Sequence, residues 1–377
     1  MGDGRGLAES EATRKATRDY RSLSDTPWDL WRTVYARRSH RKYVPHDIEP
    51  GFAAAIEETV ANALGARQAD GKSVLVATDP EVVDEVRRRS YKGLPNKINL
   101  WLRNVPVAGF LVMALAAEDV VRDRPAELPR TSMAVEDTVL WLTERGLGTC
   151  WLGGVNQREI RKIMGLDPLV GVPAVVCLGK PKEGRQAGYD ALMSLTVSKR
   201  RKQLTRIASN ERMDTPYTVP SLEGVRFQAS PVQDVRGLLD LLAREAPGSA
   251  DVPLDLVIDA CLEAARVAPS GGNAQRWHFA VVRDTERLEE LVRSCGARGS
   301  WRAGIVGLGY EKRIESVLFD KPFWMIDVPI ALSHMSLMAR SGGCGVVTVV
   351  DGIDERAVND LVGASGGART VGVVGIF

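Results

Sequence analysis

The order of helix-like and strand-like segments repeats along the chain, and this repeat limits the possible fold more than any other feature. In the first half, apolar residues recur at helical spacing over 52–60, before the strand-like "SVLVAT" at 73–78. In the second half, an apolar stripe over 254–265 leads in the same way into "HFAVV" at 278–282. Such alternation also occurs in α/β proteins without duplication, but here five segments match in one order. The sequence therefore predicts an α+β protein of two fused α/β/α repeats, with central mixed sheets flanked by helices.

The later segments of the two halves also correspond. An apolar stripe over 135–142 predicts a helix that Gly146 can end in a left-handed conformation. Residues 327–352 are similar to "NVPVAGFLVMA" joined directly to "VLWLTERGLGTCWLGG", as though residues 116–132 had no counterpart. The closing "TVGVVGIF" is similar to the strand-like "VGVPAVVCLG" of the first half. Both halves are therefore expected to contain the same series of elements.

A polar connection separates the two halves. Residues 207–235 include "DTPYTVPSLEG", whose Pro and Ser content is typical of a linker. We therefore expect a lead-in at 1–26, a first repeat at 27–215 and a second repeat at 216–377. The lead-in is polar and has no apolar core of its own, so it is not expected to act as a secretory signal.

Composition narrows the class of protein. With 377 residues, 44% hydrophobic and 26% charged, the chain exceeds one typical core and has the balance of a soluble globular protein. Its 50 Lys and Arg nearly equal its 48 Asp and Glu, so neither nucleic acid nor membrane is an expected partner. The longest apolar run, 105–117, has 13 residues, too few to cross a bilayer as a helix. Five scattered cysteines form no CxxC pair, so we expect reduced thiols, a cytoplasmic protein and no metal site.

A short basic segment is the first candidate for ligand binding. "YARRSHRKY" at 35–43 places Arg37, Arg38, Ser39 and Arg41 within five residues. Guanidinium groups and a hydroxyl can together bind a phosphate and the carbonyl edge of a flat heterocycle, because charge-assisted hydrogen bonds suit both. Composition alone favours a solvated basic turn instead.

Two further segments have the composition of ligand-binding loops. "GLGTCWLGG" at 146–154 has four glycines, which let main-chain N–H groups approach a ligand, although it lacks the spacing of dinucleotide or triphosphate loops. "APSGGNAQRW" at 268–277 contains Asn273 and Gln275, whose amides donate and accept and so suit the edge of a ring such as isoalloxazine. The alternatives are an ordinary glycine turn, in which Cys150 is a small packed residue, and a helix end followed by a loop.

Together the three segments resemble the nitroreductase family of FMN-dependent oxidoreductases. Residues 37–43 are similar to the family's RRSxRxF-like opening, residues 146–154 to its GLGTCWxG-like turn and residues 268–277 to its APSxxNxQPW-like loop. The resemblance covers about residues 27–377. It implies two nitroreductase-like repeats, an FMN cofactor and redox chemistry on a small-molecule substrate.

Each half retains the motifs that the other half lacks. The first-half position of the Pro-Ser-Asn loop reads "NALGARQADGKS" at 62–73, and the second-half position of the basic segment reads "REAPGSADVP" at 244–253. Members of the family are typically two-fold dimers in which both subunits contribute to each FMN site. The resemblance therefore implies an intramolecular pseudo-dimer with one composite FMN site. It also makes a monomer the expected state, with a higher oligomer left open.

The resemblance further implies roles for particular residues. The basic segment would meet the phosphate, the ribityl chain and the pyrimidine edge of FMN, while the main chain of Gly153 and Gly154 would approach flavin N5. No catalytic side chain is assigned. The basic run at 198–202 would supply a phosphate contact, unless it is simply an exposed charged run. The expected cofactor contacts are Arg37, Arg38, Ser39, Arg41, Asn96, Lys97, Cys150, Trp151, Leu152, Gly153, Gly154, Lys199, Arg200, Arg201, Pro269, Ser270, Gly271, Asn273 and Gln275.

The implied function is that of an FMN-dependent oxidoreductase in which hydride passes through flavin N5. Two directions are open. One is reduction, with NAD(P)H as the candidate electron donor, and the other is oxidation of a specific small-molecule or biosynthetic substrate. Two alternatives remain: a flavin-binding or flavin-sequestering protein with little or no NAD(P)H turnover, and a structural duplicate without a cofactor.

Overall fold

The computed structural model of the chain describes residues 29–93, 96–116, 118, 126–182, 201–218, 234–244, 253–311 and 322–377. Its helices are α1 (Asp29–Ala36), α2 (Pro50–Ala66), α3 (Pro80–Arg89), α4 (Glu127–Glu144), α5 (Gln157–Met164), α6 (Leu204–Ile207), α7 (Val235–Leu242), α8 (Leu254–Val267), α9 (Thr285–Ser294), α10 (Trp324–Ser341) and α11 (Glu355–Val362). Its strands are β1 (Val74–Ala77), β2 (Gly109–Met113), β3 (Leu115–Ala116), β4 (Gly148–Leu152), β5 (Val170–Gly171), β6 (Val175–Gly179), β7 (Ala208–Asn210), β8 (Trp277–Val282), β9 (Ala303–Tyr310), β10 (Val346–Val349) and β11 (Ala368–Ile376). Among these residues, 3₁₀ segments lie at Asn96–Asn104 and Gly271–Asn273.

The two halves build sheets with the same strand order. The first sheet runs β1-β2-β6-β4, with every neighbouring pair antiparallel. The second contains β8-β9-β11-β10 in the corresponding order, again antiparallel, and β7 adds a parallel fifth strand beside β8. Equal order and equal direction in both sheets confirm the predicted duplication.

Equivalent helices are also capped in the same way. The side chain of Asp79 accepts main-chain N–H groups at the start of α3, and Asp284 does so at the start of α9. Asn156 and Asp354 cap α5 and α11, which end at Gly165 and Gly363, both left-handed. Side-chain oxygens at these positions satisfy the free N–H groups of the first turn. The repeat thus extends to single capping residues.

Helices α4 and α10 join the two repeats into one core. They have 18 residues each and pack against one another, and α10 is buried along its whole length. A helix without a polar face is stable only when other elements surround it. The largest apolar cluster contains residues of both helices, such as Leu140 and Leu337. Each of two further clusters draws its buried members from one half of the chain.

One sequence correspondence was wrong. The similarity of 327–352 to "NVPVAGFLVMA" places a strand over the residues that begin "DVPIA", but these residues lie inside α10. The counterpart of β2 is β9 and that of α4 is α10, so the counterpart of residues 116–132 lies after β9 and ends in the first turns of α10. A short apolar run does not distinguish a buried helix from a strand, which explains the error.

The connection between the repeats is part of the second sheet. With the boundary at 215, β7 belongs to the first repeat in sequence, yet Ala208–Asn210 pair with β8. The first repeat therefore ends by supplying a strand to its neighbour. Within the described ranges, no helix combines the length and the apolar character that crossing a membrane requires.

Candidate functional site

The basic segment lies against the C-terminal end of α8, in the other repeat. Arg37 Nη2 donates to the Val267 carbonyl at 3.4 Å, although 230 positions separate the two residues. Arg201 Nη2 donates to the same oxygen at 2.9 Å, and Arg201 Nη1 donates to the Ala268 carbonyl. The last carbonyls of a helix are unpaired and carry partial negative charge, so they attract guanidinium groups. Two arginines of the first repeat thus hold the peptide that immediately precedes Pro269.

The Pro-Ser-Asn loop is held in shape by its own side chains. Ser270 Oγ accepts the Gln275 N–H at 3.0 Å, and Gln275 Nε2 donates to the Asn273 carbonyl at 3.1 Å. Gln275 Oε1 in turn accepts the Lys202 N–H at 2.7 Å. Gly272, Asn273 and Gln275 all have positive φ, which a tight turn of this kind requires. The buried Gln275 amide therefore supports the loop from within and faces away from solvent.

A carboxylate on α10 fixes the same loop. The Gly271 N–H donates to Asp327 Oδ1 at 2.9 Å and to Oδ2 at 3.1 Å. Asp327 lies in the first turn of α10 and is buried. No motif drew attention to Asp327, because its contact with the loop arises only when α10 packs beneath it.

The glycine turn is brought to the basic segment by main-chain pairing. Ser39 forms a parallel bridge with Thr149 of β4, and the His40 N–H donates to the Thr149 carbonyl at 2.8 Å. A Cβ at Gly148 would lie 2.7 Å from Cγ of the His40 ring, so only glycine allows this approach. The three predicted segments, 37–43, 146–154 and 268–277, therefore meet, and we call them together the composite site.

An aromatic ring lies between the glycine turn and the Pro-Ser-Asn loop. A Cβ at Gly153 would lie 2.5 Å from Cε1 of Phe323, and a Cβ at Gly271 would lie 3.9 Å from Cγ of the same ring. At the next residue of the glycine turn, Asn99 Nδ2 donates to the Gly154 carbonyl at 2.7 Å. Phe323 and Asn99 were not expected from the sequence, since neither belongs to a recognisable motif.

Side chains of β4 alternate between two cores. Cys150 and Leu152 are buried in the cluster of the first repeat, whereas Trp151 packs against the shared core. Successive residues of a strand point to opposite faces, as here. Cys150 and Leu152, both predicted as cofactor contacts, therefore point into the core of the first repeat and away from the shared core.

A buried polar network links Trp151 to both repeats. Its Nε1 donates to Glu136 Oε2 at 2.8 Å, and Glu136 Oε1 lies 2.9 Å from His334 Nε2 on α10. His334 Nδ1 lies 3.1 Å from the Ala264 carbonyl. Glu136 Oε1 is also 3.8 Å from Arg37 Nε, so the basic segment, the glycine turn and α10 share one carboxylate.

Positive charge is concentrated beside this network. The pKa of Arg201 is lowered to about 9, first by burial and then by the neighbouring Arg37 and Arg266. Burial also lowers the pKa of Arg37, against the effect of Glu136. Arg266 has its own bidentate partner in Glu263, at 2.6 and 2.7 Å. Arg37 Nε is buried and makes no hydrogen bond to any residue in the described ranges. An anion is the ligand that such a set of donors suits.

The other residues predicted to contact the cofactor differ in exposure, and two of them lie outside the described residues. Arg38 and Lys97 are exposed, Arg41 is half-buried, and Asn96 Nδ2 donates to the Lys92 carbonyl of its own segment at 3.1 Å. Lys199 and Arg200 lie outside the described residues, so of the basic run only Arg201 and Lys202 can be placed. Outside the composite site, His278 Nε2 lies 2.9 Å from Ser209 Oγ, and burial lowers the pKa of His278 to about 4.

Comparison with known proteins identifies the family. The model of the nitroreductase family matches residues 52–180 and 249–325, together more than half of the chain. The chain belongs to the nitroreductase family. The predicted family, fold class and tandem repeat are thereby confirmed, because the match falls in two segments, one in each half.

Individual nitroreductase relatives match shorter stretches. A protein of Archaeoglobus fulgidus, named for an inferred NADH dehydrogenase or NAD(P)H nitroreductase activity, is 33% identical over 92 residues, or 24% of this chain and 52% of the relative. A protein of Methanothermobacter thermautotrophicus with the same name is 34% identical over 99 residues, or 26% and 50%. The chain thus spans about half the length of these curated relatives.

Solved nitroreductase structures are also similar. One from Thermotoga maritima is 14% identical, with 92% of both chains covered and a TM-score of 0.42. One from Clostridium novyi is 20% identical, with 43% of this chain and 90% of the other covered and a TM-score of 0.33.

Proposed function

We propose that this nitroreductase-family chain is an FMN-dependent oxidoreductase with one composite flavin site. The observation that carries the proposal is the meeting of Arg37 and Arg201, from the first repeat, at the Val267 carbonyl of the second. It joins two motifs that the family supplies from different subunits, although in this chain they are more than 200 positions apart. The candidate site is therefore complete within one chain.

The residues present fit FMN. Arg37 has a buried Nε without a hydrogen bond among the described residues, and Arg201 lies beside it, so both can bind the phosphate. Ser39 and Arg41 lie next along the segment, suited to the ribityl chain and the polar edge of the ring. The Phe323 ring packs on the main chain of Gly153, and Asp327 holds the Pro-Ser-Asn loop in place on the other side of that ring.

The cofactor would supply the redox chemistry, accepting and releasing hydride at flavin N5. The chain's own contribution is to bind and orient the ring, to place positive charge near its polar edge and to exclude water. Guanidinium groups near that edge would favour the reduced, anionic cofactor. No titrating side chain is assigned to the hydride step.

On the symmetry-related side, the counterpart of the Pro-Ser-Asn loop supplies an arginine that is already paired. Alignment of α4 with α10 pairs Glu136 with Ser333 and Asp137 with His334. Beside Asp137 lies Arg67, from the "NALGARQADGKS" segment, which donates to Asp137 Oδ2 at 2.7 Å and Oδ1 at 3.1 Å. Arg67 also donates to Ser336 at 3.0 Å and Ser333 at 3.3 Å, and all four side chains are buried. Nε, Nη1 and Nη2 of Arg67 all donate to protein oxygens, whereas Arg37 Nε has no hydrogen-bond partner among the described residues, and this difference supports one flavin per chain.

Two directions of the reaction are proposed. One is reduction of a substrate with NAD(P)H as the electron donor, and the other is oxidation of a specific small-molecule or biosynthetic substrate. The names of the relatives from Archaeoglobus and Methanothermobacter support an NAD(P)H donor. Anaerobic stopped-flow mixing of the FMN-loaded protein with NADH and with NADPH tests this. Rapid bleaching of the oxidised flavin band is expected with at least one donor.

A flavin-sequestering protein is the second candidate function. Packing of the Phe323 ring directly on Gly153 favours it, because the ring covers main chain that a substrate would approach. Bleaching by dithionite, but by neither NADH nor NADPH, would support sequestration, or an oxidase that needs its own substrate, over an NAD(P)H-dependent reductase.

A further inference from the structure

Two cysteines face one another across the first sheet. Cys150 of β4 is directly opposite Cys177 of β6 in an antiparallel pair. Opposed residues of such a pair point to the same face, with Cα atoms about 4.5–5.5 Å apart. Disulfides span Cα separations of about 4.4–6.8 Å, so no strand needs to move for this pair to be joined. Both side chains lie in the same apolar cluster, as this register requires.

The surroundings of the pair differ from those of an inert buried cysteine. Tyr43 Oη lies 3.5 Å from Cys177 Sγ and donates its proton to the His40 carbonyl at 2.7 Å. Ser39 and Arg41, both half-buried, interact with Cys150 from the side of the basic segment. Electropositive surroundings of this kind favour a reactive thiolate.

The two thiols have different acidities. A hydrogen bond from Cys177 lowers the pKa of Cys150 to about 7, against the effect of burial, with further help from Arg41 and Ser39. Burial and the neighbouring Cys150 instead raise the pKa of Cys177 well above its ordinary value. Cys150 also follows Thr149, which pairs with Ser39 of the basic segment, so placement and acidity together favour Cys150 as the nucleophile and Cys177 as the thiol that resolves it.

We propose that Cys150 and Cys177 form a redox site at which a hydroperoxide oxidises two thiols to a cross-strand disulfide. The Cys150 thiolate attacks the O–O bond, so that an S–O bond forms and the O–O bond breaks. The departing alkoxide takes a proton and leaves as an alcohol, or as water when the oxidant is hydrogen peroxide. Cys177 then loses its proton and attacks the sulfur of the sulfenic acid, whose hydroxyl group takes up a proton and leaves as water as the S–S bond forms. Two electrons pass from the thiols to the peroxide.

Three other cysteines provide matched controls within the chain. Cys261, Cys295 and Cys344 are also buried, and burial raises the pKa of each. They are expected to remain reduced under conditions that oxidise the pair. The inference does not depend on the proposed flavin function, because the test requires no FMN and no turnover.

The test is oxidation of the reduced, folded protein by hydrogen peroxide, followed by alkylation and peptide mapping without reductant. We expect a disulfide between the peptides of Cys150 and Cys177, at a rate that rises with pH through about pH 7 as the thiolate forms. The variant Cys177→Ser should instead trap a sulfenic acid at Cys150 that reacts with dimedone. Absence of the disulfide in the folded wild-type protein, or equally fast oxidation of Cys261, Cys295 and Cys344, would overturn the proposal.

Discussion

At the scale of single residues, Arg37 joins the two repeats at the composite site. Replacement by Gln removes its charge while keeping a shorter polar side chain. Charge-assisted hydrogen bonds are worth about 1.5–3 kcal/mol, so the Kd for FMN is expected to rise roughly ten- to hundredfold. Fluorescence titration with FMN measures this, with the exposed Arg158→Gln as the control. A Kd within about twofold of wild type, in a variant with unchanged Tm, would argue against a phosphate role for Arg37.

The effects of substitutions at Gly153 and Phe323 on stability are expected to depend on each other. An added Cβ at Gly153 meets the Phe323 ring at 2.5 Å, so Gly153→Ala should lower stability by about 1–3 kcal/mol. In a Phe323→Ala background, the same change should cost little. Denaturant unfolding of the four proteins gives the comparison, and Gly51→Ala, where a Cβ meets nothing within 4 Å, is the control. An equal loss in both backgrounds would show that the ring does not restrict Gly153.

At the scale of elements, α4 and α10 are joined by Glu136 and His334. Loss of either side chain removes their mutual hydrogen bond from a buried network, so each Ala variant should lose about 1–3 kcal/mol. In the double variant these losses should overlap, with a coupling energy of about 1–3 kcal/mol. Glu58 and Arg236, an exposed ion pair between α2 and α7, form the control cycle, with about 0.2–1 kcal/mol expected. Additive losses for Glu136 and His334 would contradict a shared network.

Much of the fold could be predicted from the sequence at this scale. Apolar periodicity located α2, α8, β1, β6 and β8, and Gly146 ends α4 with φ +76° as expected. The strand expected near residue 327 proved to be helix, because burial on all sides removes the periodicity that distinguishes the two. Motifs placed the three segments of the composite site. They could not indicate Asp327, Asn99, Glu136 or His334, whose contacts depend on how distant helices pack.

At the scale of the whole molecule, the interface that the family forms between subunits lies within one chain. Helices α4 and α10 already bury one another, so no further copy is needed to complete the composite site. We expect a monomer of 41.1 kDa by light scattering at micromolar concentration. A stable dimer would show instead that a second surface, outside the fused interface, holds two chains together.

The proposed single flavin site in a duplicated chain can be tested by a simple ratio. Arg37 and Arg201 offer cationic donors on one side of the pseudo-symmetric core, while on the other side Arg67 is paired with Asp137. The most direct test is the molar ratio of FMN to chain after saturation and removal of free flavin, from absorbance and amino-acid analysis. A ratio of one flavin per chain is expected, and a ratio of two would contradict the account.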